Sequence, residues 1–218
     1  MKNDTRDLRY CTMELIENTG VIAIIRGEED WPMDRIVGAL YDGGIRAIEI
    51  TLNTPNALHL ITRIKKLGLK DLKVGAGTVL DPQMAGLAVS AGASFILSPT
   101  LSPEMIALCN RYDVLGIPGV LTSTEVLYAW ELGAQAVKIF PAGVFGREDI
   151  RGLRGPLPQI PMIPVGGVSL ANTFEFIRAG ACGVGVGGEL VDRAAISSGK
   201  YDGLTKKASQ FICEVKRG

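Results

Sequence analysis

Eight short apolar, β-branched runs punctuate the chain, roughly 20 to 27 residues apart: VIAIIRG, IRAIEITL, LKVGAGTV, SFILSP, VLGIPG, AVKIFPA, MIPVGG and CGVGVGG. Between them lie segments of helical character, such as WPMDRIVGALYDGG and STEVLYAWELGA, several closing on the glycine where a helix stops. Eight strand–helix units in succession predict an α/β fold, a TIM (β/α)8 barrel, although the same pattern admits a seven-strand or distorted closure. At 218 residues and 47% hydrophobic content, the expectation is a single domain over residues 1–218 with a sizeable core. The polar opening from Asp4 to Asn18 reads as an extra N-terminal helix packed outside the barrel. Asp202 to Lys216 reads as a terminal helix.

Several function classes lose support at once. Lys plus Arg equals Asp plus Glu, 23 each, so no overall basic excess draws the chain to nucleic acid or an anionic membrane. No apolar run is long enough to span a bilayer, and MKNDTRDLRY lacks the apolar core of a signal peptide, so a cytoplasmic location is expected. Cys11, Cys109, Cys182 and Cys213 form no CxxC pair and read as reduced, structural thiols. A single histidine, His59, sits at helical spacing in NALHLITRIKKLG and cannot supply a His-rich metal site; a carboxylate Mg²⁺ site stays open. GVGVGG formally fits GxGxxG, but only about thirty residues follow it, too few for the rest of a dinucleotide-binding unit.

Side-chain alternation then picks out the chemistry. In AVKIFPA, Val137 and Ile139 fall on the helix-facing parity, while Ala136, Lys138 and Phe140 point inward. In RAIEITL the same rule turns Ile48 and Ile50 outward and Glu49 inward. An inward lysine and glutamate in apolar strands form either a buried ion pair or a working couple. In the second case, desolvation frees the amine to attack a carbonyl while the carboxylate moves protons. The last two units end in glycines, Gly166 and Gly167 in VGGVS and Gly187 and Gly188 in GVGVGGEL. Loops after strands seven and eight are where such barrels often take phosphate on backbone N–H groups, and tight turns are the other reading. Thr78 brings a hydroxyl to the same rim or caps its turn. Arg26 can grip a carboxylate or sit in a surface salt bridge.

Taken in order, IRAIEITLNTP, VGAGTVLDP, SPTLSPE, IPGVLTSTE, KIFPAGVFG and VGGVS resemble the class I aldolases acting on 2-keto-3-deoxy-6-phosphogluconate and 4-hydroxy-2-oxoglutarate. The resemblance runs from about Val21 to Val191. It implies a (β/α)8 homotrimer that cleaves a small 2-keto-4-hydroxy acid, often phosphorylated, to pyruvate and an aldehyde without metal or cofactor. By matching motifs, Lys138 is the Schiff-base lysine, Glu49 the general acid/base, Thr78 a contact to the pyruvyl portion and Phe140 part of the pocket wall. Pro99 lines the site, and Gly166, Gly167 and Gly187 lie along the phosphate side.

Three departures bear on the substrate. TLNT places Asn53 where many gluconate-type members have arginine, so Arg26 is expected to take over the carboxylate. Val165 and Gly188 stand where many members carry threonine and serine, each removing a hydroxyl near the phosphate side. EITLNTP also resembles the related 2-keto-3-deoxy-6-phosphogalactonate aldolases. The competing classes are a phosphosugar isomerase or epimerase using the same two residues without an imine, and a non-catalytic sugar-phosphate binder. A binder has no need of a desolvated lysine–glutamate couple.

Overall fold

A computed structural model of the chain describes residues 7–144 and 146–218. It opens with α1 (Leu8–Thr19), β1 (Val21–Ile25), α2 (Met33–Asp42), β2 (Ala47–Thr51), α3 (Ala57–Lys65) and β3 (Lys73–Gly77). There follow α4 (Pro82–Ser90), β4 (Phe95–Leu97), α5 (Pro103–Arg111), β5 (Leu115–Ile117), β6 (Gly119–Val120) and α6 (Ser123–Glu131). The chain finishes with β7 (Val137–Ile139), α7 (Arg147–Arg154), β8 (Met162–Pro164), α8 (Leu170–Arg178), β9 (Val184–Val186), α9 (Arg193–Ser197) and α10 (Tyr201–Arg217).

All the pairings are parallel. Strands β5-β4-β3-β2-β1-β9 form one sheet and β6-β7-β8 a second, and together they curl into a half-barrel wrapped by helices. VLGIPG, expected as one strand, is two. Proline has no N–H to offer a ladder, so pairing breaks at Pro118 and resumes at Gly119. A lone parallel bridge, Val165 to Gly185, joins the end of β8 to β9.

The strands' two-residue period sorts the core into two clusters. Val21, Ala23, Ile25, Ile48, Ile50, Val137 and Ile139 pack outward against helices, with Ile36, Leu40, Ile61 and Phe211 among their partners. Ile22, Ala47, Phe95, Leu97, Leu115, Ile117, Ala136 and Ile163 meet on the concave side. Most of this second group lies near strand starts, where open apolar side chains would face water. Helix α1 supplies the cover.

Its Met13 and Ile16 belong to the concave cluster, so the opening segment does not simply pack outside, as expected from sequence, but seals one end of the strands. Arg9 anchors the helix by pairing with Asp113 at 3.0 Å and donating to Asn110 at 2.8 Å. Asp4 to Arg6 of the expected helix lie outside the described residues. At the other terminus α10 runs over α2 and α8, burying Leu204, Ala208 and Phe211, with Thr205 donating to the Ala39 carbonyl at 2.9 Å. With one end plugged by α1, the opposite end, where strands finish, remains for a ligand.

Candidate active site

Register gives each of the two key side chains one glycine and one isoleucine neighbour. Glu49 is paired between Ile24 on β1 and Gly75 on β3, and Lys138 between Gly119 on β6 and Ile163 on β8. Both are nearly sealed from solvent, Glu49 at 1% and Lys138 at 5% exposure. On β3 the parity is as telling: Val74 and Ala76 face the helices while Gly75 and Gly77 face in. A Cβ on Gly75 would strike the Phe95 ring, and one on Gly77 would overlap the Glu49 carboxylate. The empty position at 77 is where that carboxylate sits.

Gly77→Ala incurs no positive-φ strain, so its effect is to push the Glu49 carboxylate from its place. Overpacking of this kind costs about 1–3 kcal/mol, so the urea midpoint is expected to fall while the circular dichroism spectrum stays unchanged. An unchanged midpoint would show that the carboxylate does not fill the space at 77.

A cavity of about 670 Å³ opens where the strands end, within the range of small-molecule sites. Arg26, Glu49, Thr78, Pro99, Lys138, Phe140, Gly166, Gly187 and Gly188 all line it. Gly167 does not. It borders an adjoining recess of about 370 Å³ shared with Gly166, Gly187 and Gly188, which lies beside the start of α8. Gly166 and Gly167 both have positive φ, +83° and +79°, a conformation open to glycine, and Gly167 passes in close contact with Gly143. Turn geometry and backbone exposure therefore coincide at this pair.

The alternatives left by the sequence now separate. None of the ion pairs among the described residues includes Lys138, Glu49 or Arg26. Glu49 Oε2 is buried without a hydrogen-bond partner, and Lys138 Nζ lies 4.7 Å from the centroid of the Phe140 ring. Burial pushes the Glu49 carboxyl up to about 7, against the opposing pull of Lys138 and Arg26. Burial also holds the Lys138 ammonium below its usual range, an effect Glu49 resists and Arg26 reinforces. These are two uncommitted groups facing one cavity, an amine inclined to lose its proton and a carboxyl that exchanges one near neutrality. An amine of this kind can attack a carbonyl, and the carboxyl can take or return a proton.

Thr78 adopts a positive φ of 57°, unusual for a β-branched residue and a form of local strain that tends to gather at binding sites. It is not the cap of α4, whose first turn is held by Asp81 accepting from the Met84 N–H at 2.7 Å. Thr78 borders the cavity. Among the described residues, no group of three or more His, Cys, Asp or Glu is placed to hold a metal ion, and no helix is long and apolar enough to cross a membrane.

Sequence reasoning missed part of the rim. Trp31, from the loop after β1, and Val191 to Ala194, after β9, also border the cavity. Arg193, the first residue of α9, ion-pairs with Glu28 at 2.6 Å, linking that helix to the loop after β1. Strand parity carries no information about residues beyond the strands.

The model of the family described as KDPG and KHG aldolase matches residues 13–207. The chain is 38% identical over 171 residues to a 2-dehydro-3-deoxy-6-phosphogalactonate aldolase of Escherichia coli, covering 78% of this chain and 83% of the relative. It is 35% identical over 206 residues to a 2-dehydro-3-deoxy-phosphogluconate aldolase of Treponema pallidum, covering 91% and 95%. Among solved structures, the KDPG aldolase of Legionella pneumophila, with pyruvate captured as a covalent carbinolamine, superposes with a TM-score of 0.82. It is 28% identical, over 90% of this chain and 96% of that one. The chain thus belongs to the KDPG and KHG aldolase family, and is an aldolase, a carbon–carbon lyase.

Proposed function

We propose that the enzyme cleaves a six-carbon 2-keto-3-deoxy-6-phospho sugar acid of the gluconate series, and 4-hydroxy-2-oxoglutarate, through an imine on Lys138. The observation that carries this reading is the unpaired, desolvated Lys138 and Glu49 sharing one cavity. The neutral Lys138 amine adds to the C2 carbonyl, and the carbinolamine hydroxyl takes a proton from solvent and departs as water, leaving a cationic imine. Glu49, through a water, takes the proton of the C4 hydroxyl. The C3–C4 electron pair moves into the imine, releasing the aldehyde and leaving an enamine. Glu49 returns its proton to C3, and hydrolysis frees pyruvate and the amine. The imine is the electron sink, so no metal is required.

Arg26, the cation at the end of β1, takes the substrate carboxylate in place of an arginine at Asn53, and Thr78, Pro99 and Phe140 bound the pyruvyl half. Gly166, Gly167, Gly187 and Gly188 present backbone N–H groups to the phosphate. The Legionella relative's covalent pyruvate supports the imine route. In the same reading residues 1–218 form one domain, whose two sheets close into a (β/α)8 barrel, with β5 and β6 as one strand interrupted by Pro118. The helix before β1 is its extra N-terminal element. The enzyme is a cytoplasmic homotrimer in this account. Exposed Leu80, Leu87, Tyr112 and Leu127 supply apolar surface for copies to cover, and the solution mass tests that assembly.

A second reading, the galactonate epimer, is supported by the stretch EITLNTP with its Asn53 and by the 38% identity to the Escherichia coli 2-dehydro-3-deoxy-6-phosphogalactonate aldolase. Pyruvate release from the two C4 epimers and from 4-hydroxy-2-oxoglutarate, compared by kcat/KM, decides. Preference for the gluconate epimer upholds the first reading, and preference for the galactonate epimer replaces it with the second. Release from none of the three rejects both.

A further inference from the structure

We propose that Arg193 is the specificity residue for the distal phosphate of the substrate, and that Glu28 is its resident partner, given up when the phosphate arrives. The inference rests on the aldolase reading above and deepens it. Among the described residues, three cations border the cavity: Arg26, Lys138 and Arg193. The first two are committed to one end, since both act electrostatically on Glu49 and one of them is the proposed nucleophile. Arg193 alone is left for a second anionic group.

Its position fits that use. It follows β9 within a few residues of Gly187 and Gly188, whose backbone borders both the cavity and the adjoining recess. Open space surrounds the point where a Cβ on Gly188 would lie, so nothing steric excludes a hydroxyl-bearing side chain there. The glycine loops offer dipoles without charge, whereas a guanidinium adds a bidentate, charged contact to phosphate oxygens. The neighbouring acid, Asp192, is occupied at the start of α9, accepting from the Ala195 N–H at 3.0 Å. Glu28 is therefore the carboxylate that competes for Arg193, at 2.6 Å, and both side chains are well exposed, at 71% and 54%. An exposed pair of this kind is weak in water and easily exchanged. Because Glu28 lies on the same loop as Trp31, exchange also frees a segment that borders the mouth.

The test uses glycerol 3-phosphate, an unreactive three-carbon phosphate monoester, titrated calorimetrically into the intact wild type, Arg193→Gln, Arg193→Lys and Glu28→Gln at one fixed ionic strength. The proposal expects Kd to rise about tenfold or more in Arg193→Gln, to recover in part in Arg193→Lys, and to fall about threefold in Glu28→Gln. Equal affinity in wild type and Arg193→Gln overturns it, as does a Glu28→Gln variant that binds no more tightly than wild type. Borohydride trapping of pyruvate in the same four proteins reports separately on the imine chemistry. Failure of trapping in the wild type rejects the aldolase mechanism, whereas normal trapping with unaltered glycerol 3-phosphate binding rejects only the role of Arg193.

Discussion

Lys138→Met is expected to reduce carbon–carbon cleavage by roughly four orders of magnitude or more, the scale of losing a covalent nucleophile. The adduct formed by pyruvate and borohydride should vanish with it. The substitution need not cost stability. Lys138 is 5% exposed, burial disfavours its ammonium, and no carboxylate pairs with it, so methionine replaces a penalised cation with an apolar chain of similar length. Glu49 would lose the larger of the two charges that lower its pKa and would hold its proton past neutrality, leaving no bare charge behind. Intact mass after borohydride treatment, peptide mapping and a urea midpoint at neutral pH check all three points. An adduct on another lysine, or turnover within tenfold of wild type, would sink the imine assignment at Lys138. A large drop in the urea midpoint would mean that Lys138 also supports the fold.

Lys138 and Glu49 were legible from sequence because each breaks the polarity of an apolar strand at the inward parity, a local signal needing no knowledge of neighbours. Gly75 and Gly77 obey the same parity in VGAG, but their purpose depends on what the adjacent strands project into the space they leave, Phe95 and Glu49. That is a matter of register, which a single sequence does not state. Helix α1 shows the same boundary of inference. A buried face was predictable, yet whether Met13 and Ile16 meet outer helices or the concave cluster depends on the half-barrel's shape. Arg193 and Glu28 lie furthest from reach. They are separated by most of the chain, Glu28 in a loop and Arg193 at the first residue of the short helix α9, and they meet because β1 and β9 are neighbours in the sheet. Only the sheet order brings them together.

Glu49→Gln should separate the cost of this site from its chemistry. Activity is expected to fall by roughly 10²- to 10⁴-fold, the usual contribution of a general acid/base, with the pyruvate adduct on Lys138 still trappable. Stability should move the other way, and by an amount that depends on pH. The carboxyl has an ordinary value of 4.5 and is raised by burial to about 7. A carboxyl raised on folding binds its proton more tightly in the native state, so its favourable contribution is complete below pH 4.5 and is lost as pH climbs through 7. Glutamine carries no such proton. The variant should therefore match the wild type in stability near pH 4.5 and exceed it by about 3 kcal/mol at pH 8, taking 1.36 kcal/mol per unit. Urea midpoints of both proteins at pH 5 and pH 8 measure the difference, because ionisations that do not sense Glu49 cancel. A stability difference identical at the two pH values would show that Glu49 is an ordinary ionised carboxylate in the folded protein, and with it would go the argument that this strand keeps a desolvated acid for proton transfer.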